Sequence, residues 1–133
     1  MIEWLPTARK PLVWIGSSRD DLSGFPFEVK QVMGFAIHLA QTGDKHPDAK
    51  PLTGDPAFKG AGVLEIVDRF DGDTYRAVYT VKFAGVVYAL HAFQKKSKSG
   101  IATPLQEIRR VKERLKEARQ HYEANFAPQR KKA

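Results

Sequence analysis

The sequence has no cysteine among its 133 residues, and histidine is scarce. The lack of cysteine excludes disulfide bonds, thiolate metal sites and cysteine nucleophiles. The four histidines are scattered, without the i, i+4 spacing that places two metal ligands on one helix face. We therefore predict that the protein uses neither a metal nor another cofactor.

Long apolar runs are also missing. No segment approaches the roughly 18 to 20 consecutive apolar residues that a membrane-spanning helix needs. The start of the sequence, MIEWLPTARKPLVWIG, lacks the basic head and the apolar stretch of a secretory signal. These two absences predict a cytoplasmic protein that has no membrane partner.

Positive charge is concentrated at the carboxyl end of the sequence. Residues 1–93 contain ten Lys or Arg against eleven Asp or Glu, a net charge of −1, whereas residues 94–133 contain twelve against four, a net charge of +8. Such a concentration of positive charge attracts polyanions, nucleic acid among them, and speeds their encounter with the protein. A solvated basic helix face followed by a basic tail would give the same charge, so charge alone leaves both interpretations open.

Hydrophobic periodicity predicts one strand and one helix in the first third of the sequence. Residues 11–16 (PLVWIG) form a short apolar run between Pro and Gly, which is typical of a buried strand. After Pro26, apolar residues recur at helical spacing until Gly43, a residue suited to ending a helix. Residues 42–62 are rich in Pro, Gly, Asp and Lys and are predicted to be mostly loop, with at most one short helical turn.

The second half of the sequence predicts three strands and a long helix. Residues 63–70 (VLEIVDRF) and 74–81 (TYRAVYTV) flank an Asp-Gly pair, a strong signal for a hairpin of antiparallel strands. Residues 86–93 (VVYALHAF) would add a third strand to this meander. Thr103-Pro104-Leu105-Gln106 resembles a capping box that begins a helix. The polar face of that helix would carry its basic residues, namely Arg109, Lys112, Arg114, Lys116 and Arg119.

The order of these elements predicts a single domain of the α+β class. Helices would cover one face of a largely antiparallel sheet. The domain is expected to span residues 1–124, and the basic tail, residues 125–133, is predicted to be disordered.

Candidate functional residues gather on the last two strands. Strand alternation places Arg76 on the opposite face from its neighbours Tyr75 and Ala77. On the next strand, alternation puts Tyr88, Leu90 and Ala92 on one face. His91 and Phe93 would share the other face, immediately before Lys95 and Lys96 in the sequence.

An imidazole, an aromatic face and two ammonium groups suit single-stranded RNA. Phe93 could stack on a base, Lys95 and Lys96 could neutralise phosphate, and the ordinary pKa of His91 suits proton transfer. Each residue also has a simpler interpretation. A strand histidine or phenylalanine is more often structural, and Arg76 could form a surface ion pair with Glu65 or Asp68 across the hairpin.

Two segments make the sequence resemble a known family. Residues 75–81 (YRAVYTV) and 86–115 (VVYALHAFQKKSKSGIATPLQEIRRVKERL) closely resemble the Gp49-like, HigB-type branch of the RelE toxin superfamily, and residues 58–66 (FKGAGVLEI) are similar to the approach to its second strand. The resemblance covers about residues 11–119. It implies a compact RelE-like domain with N-terminal and C-terminal helices packed on the sheet, and an endoribonuclease activity without metal.

The resemblance also assigns roles to residues. In the family's reaction the RNA 2′-hydroxyl attacks the adjacent phosphorus and expels the 5′-oxygen. Arg76 matches a central-strand arginine that would contact the scissile phosphate, and His91 is the local candidate for proton transfer. The basic positions implied to bind RNA or to assist the reaction at the end of the loop and after the last strand are Lys59, Lys95, Lys96 and Lys98.

Two departures from the family pattern concern the same chemistry. Relatives often carry an arginine soon after the Glu-Leu pair of the second strand, but here Glu65-Ile66 is followed by Val67, which leaves Arg69 as a shifted substitute. The tyrosine that some RelE members use as a base has no clear counterpart in residues 97–104 (SKSGIATP), and His91 is the candidate to replace it.

Partners follow from the resemblance as well. It implies mRNA, in many members held in the ribosomal A site, and a cognate helix-turn-helix antitoxin that would provide the only link to operator DNA. Two other functions remain open from the sequence. The chain could be a non-catalytic module that binds RNA or the ribosome, or a degenerate toxin that acts through its antitoxin.

Overall fold

A meander of three long strands forms the centre of the fold. The computed structural model describes residues 9–95 and 103–126. Asp71 and Gly72 both have positive φ angles, 53° and 85°, as the tight turn predicted from the Asp-Gly pair requires. The strands are β1 Leu12–Trp14, β2 Lys50–Pro51, β3 Val63–Phe70, β4 Asp73–Thr80 and β5 Val87–Lys95, and the helices are α1 Ser18–Ser23, α2 Phe27–Gln41 and α3 Leu105–Asn125.

The five strands form one mixed sheet in the order β1-β5-β4-β3-β2. The pairings β3–β4 and β4–β5 are antiparallel, as predicted, and β2 also lies antiparallel to β3, whereas β1 lies parallel to β5. Two elements were not predicted: α1, whose sequence SRDDLS has little helical periodicity, and β2, which lies in the predicted loop. A 3₁₀ turn, Pro56–Phe58, supplies the short helical turn expected there.

The two long helices cover opposite faces of the sheet, so the prediction that they share one face was wrong. The helix α2 packs its buried residues Val29 and Met33 into a cluster with Tyr79 and Ala77 of β4. The helix α3 packs Val111 and Leu115 into a second cluster on the other side, around Val78, Tyr88 and Leu90. Successive residues of β4 therefore enter different cores, because side chains alternate across a strand.

A β-bulge in β5 changes which face its last residues occupy. Tyr79 pairs with Ala89 and Val78 pairs with His91, so Leu90 is an additional residue on β5. Because an additional residue reverses the alternation beyond it, Ala92 packs in the α2 cluster with Val87. The prediction that Ala92 shares a face with Tyr88 and Leu90 was therefore wrong. The bulge turns His91 and Phe93 toward α3.

The carboxyl-terminal part of the chain differs from the prediction in two details. Helix α3 begins at Leu105 without a side-chain capping bond, so the predicted capping box is absent. At its other end α3 reaches Asn125, which had been assigned to the tail, and Phe126 stacks on Tyr122 with ring centroids 5.6 Å apart. Residues 127–133 lie outside the described part of the chain. Within that part, no helix combines the length and the apolar content needed to cross a membrane.

The hydroxyl of Tyr79 is buried without a hydrogen-bond partner among the described residues. Burial raises the pKa of Tyr79 to about 12. Since a buried hydroxyl without a partner costs roughly 1–3 kcal/mol, we expect Tyr79→Phe to raise the free energy of unfolding by about 1 kcal/mol. Urea denaturation measures this change.

The matched control is Tyr88→Phe, because the Tyr88 hydroxyl lies 2.8 Å from His121 Nδ1. Removal of that hydrogen bond is expected to lower the free energy of unfolding by about 1 kcal/mol. If Tyr79→Phe and Tyr88→Phe destabilised the protein equally, the conclusion that the Tyr79 hydroxyl has no hydrogen-bond partner would be contradicted.

Candidate functional site

The face of the sheet turned toward α3 carries three rows of side chains across β3, β4 and β5. The strand register and the alternation of side chains place these rows together. We call this surface the α3 face. Its rows, from the middle of the sheet toward the β3–β4 turn, are Glu65–Val78–His91, Val67–Arg76–Phe93 and Arg69–Thr74–Lys95.

Arg76 lies in the middle row and is almost completely buried, with 4% of its surface exposed. Its Nη1 donates to Glu65 Oε2 at 2.9 Å and to Thr103 Oγ1 at 3.4 Å, and Thr103 Oγ1 in turn donates to the same Glu65 oxygen at 2.8 Å. The ion pair with Glu65 that the sequence allowed is therefore present, but it is buried rather than on the surface. These bonds hold the guanidinium in one orientation.

His91 lies one row away, and α3 covers it. Its Nε2 is 2.6 Å from Glu107 Oε1, and its Nδ1 is 3.1 Å from Arg114 Nη1. Arg114 is buried in contact with the sheet, so the prediction that it lies on the polar face of the helix was wrong. Burial lowers the pKa of His91 below its ordinary value, although the hydrogen bond to Glu107 acts in the opposite direction.

Phe93 is buried and stacks on His91. The two ring centroids are 5.0 Å apart and the rings are inclined by 24°. The side-by-side arrangement predicted from the sequence is therefore present. The interpretation of Phe93 as a platform for an RNA base stays a prediction, since His91 already covers one face of the ring.

The basic residues predicted to bind RNA lie in different parts of the chain. Lys95 is half-buried at the end of β5, in the same row as the exposed Arg69. Lys59 is exposed after the 3₁₀ turn and lines an open cavity of about 500 Å³ with Pro51 and Pro56. Lys96 and Lys98 lie outside the described residues.

This arrangement can hold and polarise an anion at one end of the α3 face. Arg76 and Lys95 bring positive charge to neighbouring rows, and Arg69 adds an exposed cation. Preorganised cations of this kind stabilise the charge that develops on phosphoryl oxygens. Within the described residues, no group of three or more histidine or acidic side chains could hold a metal ion.

Comparison with known proteins identifies the family. Residues 20–116, nearly three quarters of the chain, match the family described as phage derived protein Gp49-like (DUF891). The chain belongs to this family, which confirms the predicted resemblance to the Gp49-like branch of the RelE/HigB toxins of toxin–antitoxin systems.

No curated protein matches the chain. Among solved structures, a chain of the toxin–antitoxin complex RelBE2 from Mycobacterium tuberculosis is similar to this one, with 17% sequence identity and a TM-score of 0.43. The match covers 68% of this chain and 97% of that chain.

Proposed function

We propose that this toxin is a metal-independent endoribonuclease that cleaves mRNA in the ribosomal A site and so arrests translation and growth. The observation that carries the proposal is Arg76, a buried guanidinium held at 2.9 Å by Glu65 on the α3 face. Membership of the Gp49-like family and the net charge of +8 on residues 94–133 support the same conclusion. The reaction belongs in the cytoplasm, where its substrate is found.

The proposed reaction moves one phosphoryl group within the RNA. The 2′-oxygen forms a bond to the adjacent phosphorus while the bond from phosphorus to the 5′-oxygen breaks, so the products end in a cyclic phosphate and a 5′-hydroxyl. Negative charge grows on the phosphoryl oxygens during this step. Arg76 would stabilise that charge, and Lys95 and Lys96 would contact the same or the next phosphate.

Rigidity of the guanidinium matters to this role. A donor that is already oriented loses little energy by reorganising when the charge develops. Glu65 and Thr103 provide this orientation, and the incoming phosphate would share the guanidinium with them. The ribosome would orient the mRNA, which reduces what the site itself must supply.

Other basic groups would bind RNA without taking part in the reaction. Arg69 is exposed in the row beside Arg76, and Lys59 and Lys98 would contact phosphates further along the strand. Each phosphate contact releases counterions, so binding should weaken as the salt concentration rises. Phe93 would stack on an RNA base with the ring face that His91 does not cover.

A cognate antitoxin is the second proposed partner. Family membership supports a helix-turn-helix antitoxin that neutralises the toxin, and operator DNA would be bound only through that antitoxin. Co-expression of the neighbouring reading frame is the simplest way to identify it.

Expression in a bacterial host without antitoxin tests the proposed activity. We expect growth arrest and new 5′ ends on an abundant mRNA, detected by primer extension. Arg76→Ala is expected to slow cleavage by about 10²–10³, because it removes one charge-stabilising donor. Arg19→Ala, which changes an exposed arginine on α1, serves as the matched control and should behave as wild type.

A second variant separates catalysis from folding. Arg76→Ala leaves Glu65 without its guanidinium, so Arg76→Lys is measured alongside, with thermal melting of each protein. Intact mRNA and normal growth with a folded wild-type protein would overturn the proposal. Salt-sensitive binding to RNA without products would then identify a non-catalytic binding module.

A further inference from the structure

A chain of hydrogen bonds runs from α1 to the start of α3 through His91. Ser17 Oγ donates to Asp21 Oδ2 at 2.7 Å and accepts from Arg114 Nη2 at 3.0 Å. Arg114 Nη1 is 3.1 Å from His91 Nδ1, and His91 Nε2 is 2.6 Å from Glu107 Oε1. The chain therefore ends at the Glu107 carboxylate.

The chemistry of these groups fixes the position of the proton on His91. A guanidinium has donors only, so Arg114 must donate and His91 Nδ1 must accept. A neutral imidazole that accepts at Nδ1 carries its proton on Nε2, which donates to Glu107. A doubly protonated His91 would direct an N–H group at the N–H group of Arg114. These contacts therefore select one neutral tautomer.

Arg114 is held in place independently of His91. Its Nη1 also donates to the backbone oxygen of Leu90 at 3.0 Å, which is the additional residue of the β-bulge. Arg114 is 9% exposed, and its guanidinium lies against Gly16, where an added Cβ would be 2.7 Å from Nε. The bulge and the β1–α1 loop thus fix the donor that faces His91.

Glu107 differs from His91 in its access to solvent. The Glu107 side chain is 22% exposed, whereas that of His91 is 3% exposed. Only Oε1 of Glu107 has a hydrogen bond within the described residues. The charged groups that act on His91 are Glu107, Arg110 and Arg114. Of the two groups that could exchange a proton here, Glu107 is the accessible one.

We propose that the Glu107 carboxylate is the proton acceptor of the RNA cleavage, and that His91 and Arg114 are positioning residues that hold it. This inference rests on the proposed function. In the step, the 2′-hydroxyl proton passes to Glu107 as the 2′-oxygen bonds to phosphorus. The 5′-oxygen leaves with the electron pair of its bond to phosphorus and takes a proton from water. His91 keeps its Nε2 proton throughout and only donates the hydrogen bond.

Replacement of His91 by glutamine distinguishes positioning from proton transfer. The amide nitrogen of glutamine occupies about the place of Nε2 and can donate to Glu107, but the amide does not titrate. We expect His91→Gln to retain cleavage within about fivefold of wild type and His91→Ala to lose about 100-fold. Glu107→Gln should lose at least about 100-fold, because an amide cannot accept the proton.

The pH dependence of cleavage provides the second measurement. With Glu107 as the acceptor, the pH–rate profile of His91→Gln should coincide with that of wild type, because the amide still donates to Glu107 but does not itself titrate. A rise in the wild-type profile that disappears in His91→Gln would overturn the proposal and make His91 the proton acceptor. Thermal melting confirms that each variant is folded.

Nitrogen-15 NMR of labelled histidine tests the positioning part without any RNA. At pH 7 the spectrum of His91 should show an unprotonated Nδ1 and a protonated Nε2. Arg114→Lys should weaken the preference for this tautomer. A protonated Nδ1 in wild type would overturn the positioning role of Arg114. If wild type cleaves no mRNA, the proposed function and the acceptor role of Glu107 both fall, and NMR still decides the tautomer.

Discussion

Arg114→Met is expected to lower the free energy of unfolding by about 4 kcal/mol, since it removes the common donor of two buried acceptors, on Leu90 and His91, and of the exposed Ser17 hydroxyl. Methionine fills much of the same volume but donates no hydrogen bond. The backbone oxygen of Leu90, His91 Nδ1 and Ser17 Oγ then lose their guanidinium. Each buried acceptor without a donor costs roughly 1–3 kcal/mol. Urea denaturation of the two proteins measures the difference.

The control for this substitution lies on the same helix. Arg109 is exposed on α3, and Arg109→Met makes the same chemical change at the surface. A surface substitution of this kind usually stays within about 0.5 kcal/mol of wild type. If Arg114→Met were equally mild, the three hydrogen bonds of Arg114 would contribute little to the docking of α3 on the sheet.

Gly16→Ala is expected to lower the free energy of unfolding by about 3 kcal/mol. Gly16 has a φ angle of +58°, which costs an alanine roughly 1–2 kcal/mol. The new Cβ would also lie 2.7 Å from Nε and 2.8 Å from Cζ of Arg114. The end of a flexible side chain could move aside at little cost, but this guanidinium would lose its hydrogen bonds by moving.

Two comparisons isolate the contact with Arg114. Gly85 also has a positive φ angle, +82°, and an added Cβ there would meet open space. Gly85→Ala should therefore lower the free energy of unfolding only by the roughly 1–2 kcal/mol that the positive φ angle costs an alanine. In a double-mutant cycle, Gly16→Ala should cost about 1–2 kcal/mol in the Arg114→Met background, because the collision and the bonds are then already gone. Additive effects would show that Gly16 and Arg114 act independently.

The central meander of the fold could be predicted from local signals. The Asp-Gly pair and the alternating strands on either side of it specify the β3–β4 hairpin without long-range information. The β-bulge at Leu90 could not be predicted, because an additional residue in a uniformly apolar strand leaves no trace in the sequence pattern. The same uniformity left the parallel pairing of β1 unpredicted. It also left open whether the helices lie on one face or on both, although a strand that is apolar on both sides can be buried between two cores.

The site was predicted in part. Arg76 stood out because it interrupts an apolar strand, and the pairing of His91 with Phe93 followed from strand alternation. Arg114 was missed although a signal existed: it lies three residues after Val111 and four before Ala118, within the buried stripe of the helix. Thr103 and Glu107 gave no such signal, because their contacts depend on where α3 docks. The roles of Lys59, Arg69, Lys95, Lys96 and Lys98 in RNA binding stay predictions.

The bond between Ser17 and Arg114 joins residues 97 positions apart, almost the two ends of the described chain. During synthesis, the β1–α1 loop leaves the ribosome long before α3 has been made. His91 and Glu107 therefore stay unconnected until the last helix emerges and docks. In a nascent chain of this architecture, the hydrogen bonds that link Ser17, Arg114, His91 and Glu107 form only after α3 has docked, so the proposed site would be completed late in the folding of the domain.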